Sequence, residues 1–565
     1  MDSNKIQNYY KLGEQYFNQM QLPDTWQECT KFKDGDQWPN ATEKTKNMPR
    51  PVINIIRFIE DHKCSSVLSE PIKMIFKPEE VLMEESEGTD MNIVGAELFT
   101  QFSEVEWANV DQEGLNEEAC EKAAELGSGI YHYFLDNSIV KGKVHVVKGF
   151  MQGEILHPLS VMVGNPQCLK TQLQPYILIP VRDDLESIRE RAKKNGVKPE
   201  DIIKIVGDKD IKDLNPVAKF EVAEKANEIT CYWKEKKTDT IWVMKVCGDV
   251  VTFPAADTRH KLYPIARFNW YKQDKNWYGI SETKGLISNQ KSINFMTALG
   301  MMQYQLLGMP KLMIRKGIIK NFNNDPATPL MCEEGQEWGA QYLQPPNQSS
   351  KGQELTDFLL SATKTHAGST ETSTGELTKS SAMNATAIMM LQKASAVPLN
   401  EIKKRFRRTQ EEIGHIQMEF WTINYNTQRV INIKDEDGNE TPQMFRGSDF
   451  KDISLKLDIS IGASTDYSES LTMSSLDKFL DSQRITFLQY LEHAPESVIP
   501  FKEKLIKEIK QQEAQQGNIE LTPEEQASIA QLPPEEQQQV MMQLQGQKAQ
   551  QPNQAPQDQQ QAPQM

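Results

Sequence analysis

The 565-residue sequence is short of the features that usually announce a chemistry. Its seven cysteines (Cys29, Cys64, Cys120, Cys168, Cys231, Cys247, Cys332) are scattered, odd in number and never spaced as CxxC. Neither a disulfide framework nor a thiolate zinc site is indicated, and a reducing compartment fits best. No run of about 18 apolar residues occurs, and the opening MDSNKIQNYYKLGEQYFNQM has no apolar signal core. Neither secretion by that route nor a membrane span is therefore expected. GxxxxGK[ST], HExxH, GxSxG and a dinucleotide fingerprint are all missing. The eight histidines (His62, His132, His145, His157, His260, His366, His415, His493) show no ligand spacing. Positive charge is also in deficit: 63 Lys plus Arg face 79 Asp plus Glu, a formal charge of −16. That disfavours a protein that grips nucleic acid through a broad basic face, and leaves open a surface past which nucleic acid slides.

What the chain does have is length and scaffold. Single hydrophobic cores seldom exceed about 250–300 residues, so several domains are expected. After a helical lead, DGDQWPN (34–40) is a loop punctuated by Gly35 and Pro39, with Trp38 as a packing anchor. Pro51 is placed to open the next helix, where its missing donor is not needed. From Met91 to Asn137 the pattern is helical; Gly127 and Gly129 there allow close backbone approach, since no phosphate-loop lysine follows. VHVVKGF, HPLSVMVGNP and YILIPV read as short strands, interrupted by a charged helix from Asp183 to Asn195, and Ile229–Phe253 reads as a β meander. The body is α+β.

A long helix follows in GISETKGLISNQKSINFMTALGMMQYQLLGMP, ending at Gly308 and Pro310. Its apolar residues run most of the way around. KLMIRKG and QEWGAQYL belong to a small segment, after which Leu355, Phe358, Leu359 and Ala362 share one face of a returning helix. HAGSTETSTGELTKSSAMNA (366–385) is too polar to fold alone and reads as a mobile functional loop. Leu399, Ile402, Phe406, Thr409, Ile413, Ile416 and Phe420 then step by three and four along a long packed helix, with Pro398 as a kink near its start. VINIKDEDGNETPQMF is a hairpin, its DEDG a turn and not a calcium loop, and ISLKLDISIGAS is a strand. Short helices occupy Ser468–Lys510, and the Gln/Pro-rich remainder is expected to be disordered.

Two acidic pairs, Asp183/Asp184 and Asp208/Asp210, are the candidates for a magnesium site, against a plainer reading as solvated or helix-start carboxylates. The run KKRFRR (403–408) carries Phe406 on the apolar stripe, so its cations serve either phosphate contact or neighbouring acids. No catalytic residue, metal site or cofactor is indicated.

In order along the chain, DGDQWPN…PRPVINII, AAELGSGIYHYF, HPLSVMVGNP, YPIARF…WYGISETKGLISNQKSIN, the loop before SAMNATAIMMLQ, and FRRTQEEIGHIQMEF resemble the portal proteins of tailed bacteriophages, nearest to the large portals of short-tailed phages. The resemblance implies a non-enzymatic homo-oligomer, usually a dodecamer, at one capsid vertex of the virion, assembled in the host cytoplasm. Double-stranded DNA would pass through it non-specifically, packaged by a terminase and later ejected. Major capsid, scaffolding and tail adaptor proteins would be its other partners, with no membrane and no cofactor. It implies a wing at 1–278 and 382–465, stem helices at 279–308 and 351–367, a clip at 309–350, a tunnel loop at 368–381, a crown at 466–511 and a tail at 512–565. Stem packing would fall to Leu286, Ile293, Met296, Leu299, Met302, Leu306, Leu355, Phe358 and Leu359, buried against sister subunits on several sides. Gly368, Ser369, Thr370, Gly375, Lys379 and Ser380 would line the channel. Lys311, Arg315, Lys316 and Lys320 of the clip would meet DNA, terminase or adaptor. The alternatives are a DNA-processing enzyme using one of the acidic pairs, or a capsid or connector component that threads no DNA.

Overall fold

The computed structural model describes residues 1–43, 45–69, 72–78, 88–141, 147–207, 224–308, 312–314, 340–342, 351–369, 397–434, 440–451, 455–461, 466–482, 484–494, 499, 502, 505–506 and 509–510. They form a mixed α+β structure in two units: Met1–Ile433 with Glu440–Thr465, and Lys434–Asn439 with Asp466–Met565.

The first unit opens with α1 (Ser3–Gln19), α2 (Leu22–Asp34) and α3 (Ile55–Leu68). Pro51, expected to open the third helix, lies ahead of it; the Asn54 side chain accepts from the Arg57 N–H and caps the first turn instead. Next come β1 (Ile72–Pro78), α4 (Gly88–Val110), α5 (Gln112–Leu126) and β2 (Ser128–Lys141). The helical pattern expected as far as Asn137 thus stops at Leu126. Gly127 ends it with φ +96°, in a left-handed conformation and so close to the Gly279 carbonyl that a Cβ would collide. Beyond it the side chains alternate: Tyr131 and Tyr133 enter one core while Ile130 enters another, the two-residue period of a strand.

Strand β2 is the centre of an antiparallel sheet with β3 (Val147–Leu156) and β9 (Ile265–Asn269) on either side. A second antiparallel sheet runs β4 (Met162–Val163), β5 (Tyr176–Asp184), β6 (Lys225–Lys234), β7 (Ile241–Cys247) and β8 (Val250–Asp257), the last three being the expected meander. Helices α6 (Leu185–Lys194) and α7 (Pro199–Ile202) fall between β5 and β6. A hairpin of β10 (Tyr271–Gln273) and β11 (Asn276–Ile280) leads into α8 (Glu282–Gly308), so Gly279 and Ile280 belong to a strand and not to the long helix.

Helix α10 (Asn400–Asn424) carries the expected stripe, and Ile402, Phe406, Thr409, Ile413, Ile416 and Phe420 are all buried. It packs with α4, α5, β2 and β9, and with the ribbon in which β1 pairs β16 (Leu455–Ile461) across the whole length of the unit. A buried polar ladder fixes its rotation: Gln410 Nε2 donates to Asn116 Oδ1 at 2.8 Å, and Gln417 Nε2 to Gln112 Oε1 at 3.1 Å. The Tyr131 and Tyr133 hydroxyls donate to the same two amide oxygens, so each of those oxygens accepts more than one bond, while Gln410 Oε1 is buried without a hydrogen-bond partner among the described residues. The second core joins α1–α3, the five-stranded sheet and the first half of α8. Strands β14 (Arg429–Lys434) and β15 (Glu440–Phe445) form the expected hairpin.

In the second unit, α11 (Asp466–Asp481) and α12 (Phe487–His493) bring Leu476, Tyr490 and Leu491 together, with a Thr486/Gln489 capping box at the start of α12. Among the described residues no helix is long and apolar enough to cross a membrane. The Gln/Pro-rich segment 512–565 lies outside them.

Candidate functional site

Ser281 precedes helix α8 and caps it, its Oγ accepting the Lys284 N–H at 3.0 Å, and Glu282 lies in the first turn, where a carboxylate suits the helix dipole. Its return partner is α9 (Lys351–His366). Between them, β12 (Leu312–Ile314) pairs antiparallel with β13 (Ala340–Tyr342). The helices form an antiparallel hairpin: Asn289 Nδ2, near the start of α8, donates to Thr363 Oγ1, near the end of α9, at 3.2 Å. Helix α9 closes in a Schellman cap at Gly368, φ +76°, where the Ser369 N–H reaches the Lys364 carbonyl at 3.0 Å. Ser369 is fully buried there, its Oγ 3.4 Å from His62 Nδ1. Gly368 and Ser369, expected in the channel loop, are therefore the helix stop.

The base of α8 is anchored by charge held out of water. Lys63 Nζ of α3 meets Glu282 Oε2 at 2.8 Å, with both side chains buried. The same oxygen accepts Trp270 Nε1 and Tyr271 Oη, each at 2.8 Å. Beside it Thr283 donates to Glu60, whose other oxygen lies 3.8 Å from Lys33 Nζ. Burial pushes the Glu60 carboxyl up to about 7, with Thr283 and Lys33 pulling the other way. A polar seam continues outward: Gln290 bonds the backbone of Ile53 and Ile55, and Asn294 Nδ2 donates to Gln37 Oε1 at 2.6 Å. Leu286 and Ile293, expected against sister subunits, are buried in their own chain's core because the N-terminal helices already wrap this half of α8.

Past Asn294 the surroundings change. Phe295, Leu299 and Met302, spaced i, i+4, i+7, share one face and are exposed, Phe295 by 49%. On α9, Leu355 and Phe358 are exposed, the latter by 65%, whereas Leu359 and Leu360 pack inward. Met296 is half-buried. The hairpin therefore shows exposed apolar side chains on each of its two helices. Sequence reading named Leu299, Met302, Leu355 and Phe358, and missed Phe295, although its spacing to Leu299 was a usable signal. The Leu306 side chain, the clip residues Lys311, Arg315, Lys316 and Lys320, and the loop residues Thr370, Gly375, Lys379 and Ser380 lie outside the described residues.

Among the concavities of the described residues, two border the long helices of this unit. One, of about 740 Å³, lies between α2, the loop with Trp38 and Pro39, and α8 at Lys291 and Phe295. The larger, about 980 Å³, runs along α10 and is lined in part by Arg267, Arg408, Glu412 and Glu419. Its half-buried carboxylates are engaged by the fold: Glu419 accepts the Lys261 and Leu262 N–H groups, and Glu412 accepts Gln172 Nε2 at 3.0 Å. Within KKRFRR, Phe406 is buried, Lys404 pairs with Glu401 and Arg405 lies over the Tyr271 ring. Asp183 pairs with Arg191 at 2.6 Å, and Asp184 caps α6, so both acids have local partners; Asp208 and Asp210 lie outside the described residues. Among the described residues no three His, Cys, Asp or Glu side chains gather to hold a metal. No protein-family model matches the chain, and no curated protein matches it.

Proposed function

We propose that this chain is a portal-type channel subunit: a non-enzymatic component of a ring through which double-stranded DNA enters and leaves a capsid at one vertex.

 The ring is a dodecamer, with a separate terminase supplying the packaging motor and with capsid, scaffolding and tail adaptor proteins as its other partners. Assembly takes place in the host cytoplasm, and the mature location is the virion.

The observation that carries this reading is the α8–α9 hairpin, with exposed apolar residues on both helices. Apolar patches on two different helices can meet head to tail, a contact that makes a ring where its rotation closes and a filament where it does not. The net charge of −16 supports the same reading, because a channel works best when phosphate is repelled or held weakly while DNA slides. On this reading Lys379 and the clip cations are local exceptions at which DNA, terminase or adaptor makes contact.

Negative-stain imaging of the purified full chain tests it. Rings with an axial hole about one duplex wide support the channel. Solid discs or closed shells would favour a capsid component that threads no DNA. Magnesium-dependent nuclease activity lost in Asp208→Ala would overturn the non-enzymatic assignment.

A further inference from the structure

The cleft of about 980 Å³ along α10 gathers positive charge on a chain whose formal charge is −16. Lys170, Arg259, Lys261, Arg267, Arg408 and Lys451 line it, brought together from stretches far apart in the sequence. Three carboxylates share the lining, Glu411, Glu412 and Glu419. Two of them are taken up: Glu419 accepts the Lys261 and Leu262 backbone N–H groups, and Glu412 accepts Gln172 Nε2 and interacts with the Arg267 cation. His415 adds little charge near neutral pH, because burial pushes its imidazole down from the ordinary value. Just outside the lining, Asp257 accepts the Arg259 N–H at 2.8 Å and Asp449 lies 3.9 Å from Arg446. Lys170, Arg259, Arg408 and Lys451 are exposed and make no ion pair among the described residues.

The cleft has apolar walls as well. Leu262, Met418, Ile423 and Phe450 are half-buried along it. Arg267 is fixed in place, its Nη2 donating to the Leu169 carbonyl at 2.7 Å and its guanidinium 4.7 Å from the centre of the Trp277 ring. The volume stands at the upper end of the roughly 300–1,000 Å³ that ligand-sized pockets occupy. A phosphate backbone would meet the cations and leave the walls bare, and a purely apolar segment would leave the cations unmatched. A peptide with apolar side chains between its acids satisfies both.

We infer that this cleft is a docking site for an acidic peptide segment of a partner protein, with the segment's apolar side chains against Met418, Ile423 and Phe450 and its carboxylates facing Lys170, Arg259, Arg408 and Lys451. The surplus of cations selects an acidic partner, and the apolar walls select a protein over a nucleic acid. The cleft is complete within one copy of the chain, so docking does not depend on the ring.

Fluorescence polarisation with the full chain and a fluorescein-labelled peptide of Leu-Glu-Phe-Glu repeats tests this. The peptide should bind, and added salt should weaken it. Arg408→Glu with Lys451→Glu, both at exposed positions, should weaken binding by about tenfold or more with an unchanged unfolding midpoint. Lys236→Glu with Lys237→Glu, the same change of charge on the exposed turn between β6 and β7, should leave the affinity as it was. Failure of the peptide to bind, or an equal loss in both double variants, would overturn the site. Equally tight binding of Ser-Glu repeats would remove the part played by the apolar walls and overturn it too. Tighter binding of a labelled DNA duplex, lost in the Arg408→Glu, Lys451→Glu chain, would make the cleft a phosphate site and overturn the protein partner. Binding seen only after Glu79, Glu80, Glu84 and Glu85 are all changed to Gln would assign the cleft to the chain's own acids and overturn docking by a partner.

Discussion

The two halves of α8 are opposite in surroundings, and in the reverse sense from their composition: the more polar half is the covered one. In the first half Leu286, Ile287, Gln290, Ile293 and Asn294 are buried, and Glu282 is buried with its cation. In the second, Phe295, Leu299, Met301, Met302 and Tyr304 are exposed. Apolar content would predict the reverse, with three apolar residues in Glu282–Asn294 and nine in Phe295–Gly308; what covers the first half is α2, α3 and the segment between them, whose contacts to α8 among the described residues end near Phe295. The first half belongs to the fold. The second offers its surface to whatever docks there.

The comparison breaks most sharply at the base. Lys63→Met leaves the Glu282 carboxylate buried without its cation, and stability should fall by about 3–5 kcal/mol, read from urea unfolding. A loss near zero would mean that Trp270 and Tyr271 alone hold the charge. A second test uses pH. Glu60 titrates at about 7 in the folded chain against 4.5 for the free group, so the folded state holds the extra proton between those values. The stability this contributes is fully present below about 4.5 and is lost as pH rises through 7. His157 and His260, both pushed down to about 4 by burial, act in the opposite direction over part of this window. They cancel when wild type is compared with Glu60→Gln, and wild type should lose roughly 2–3 kcal/mol relative to that variant between pH 4.5 and 7.5. A pH-independent difference would place Glu60 in contact with solvent.

Much of the scaffold was legible because it repeats locally. The three-four stripe from Ile402 to Phe420, the β6–β8 meander and the β14–β15 hairpin each carry their period within a few residues. IYHYFLDN was misread because alternation over so few residues is easily absorbed into the helix before it; Gly127 marks the break. The pairing of Ile72 with Ile461 has no local signal at all. The candidate site shows the same division. Leu299, Met302, Leu355 and Phe358 announce themselves as apolar residues on helices, but which side of each helix its own chain covers depends on α2 and α3, far away in sequence. Trp38 reads as a packing anchor; it is half-buried, its indole N–H donates to the Pro51 carbonyl, and its open side forms a pocket wall that the sequence did not announce.

The boundary between the halves can be sharpened at Asn294. Its Nδ2 donates to Gln37 and its Oδ1 accepts from the Ile53 N–H, so Asn294→Ala leaves buried polar groups unpaired. About 1–2 kcal/mol should be lost by thermal or urea unfolding. One position further on, the expectation changes character. Phe295→Ser with Leu299→Ser removes exposed apolar surface only, and the unfolding midpoint of the isolated chain should move by no more than about 0.5 kcal/mol. Oligomer yield, measured by mass photometry, should fall in the same variant, because those side chains find their burial in a neighbour. A variant that instead loses several kcal/mol as a monomer would show that the chain covers its own outer half, and the contrast along α8 would vanish.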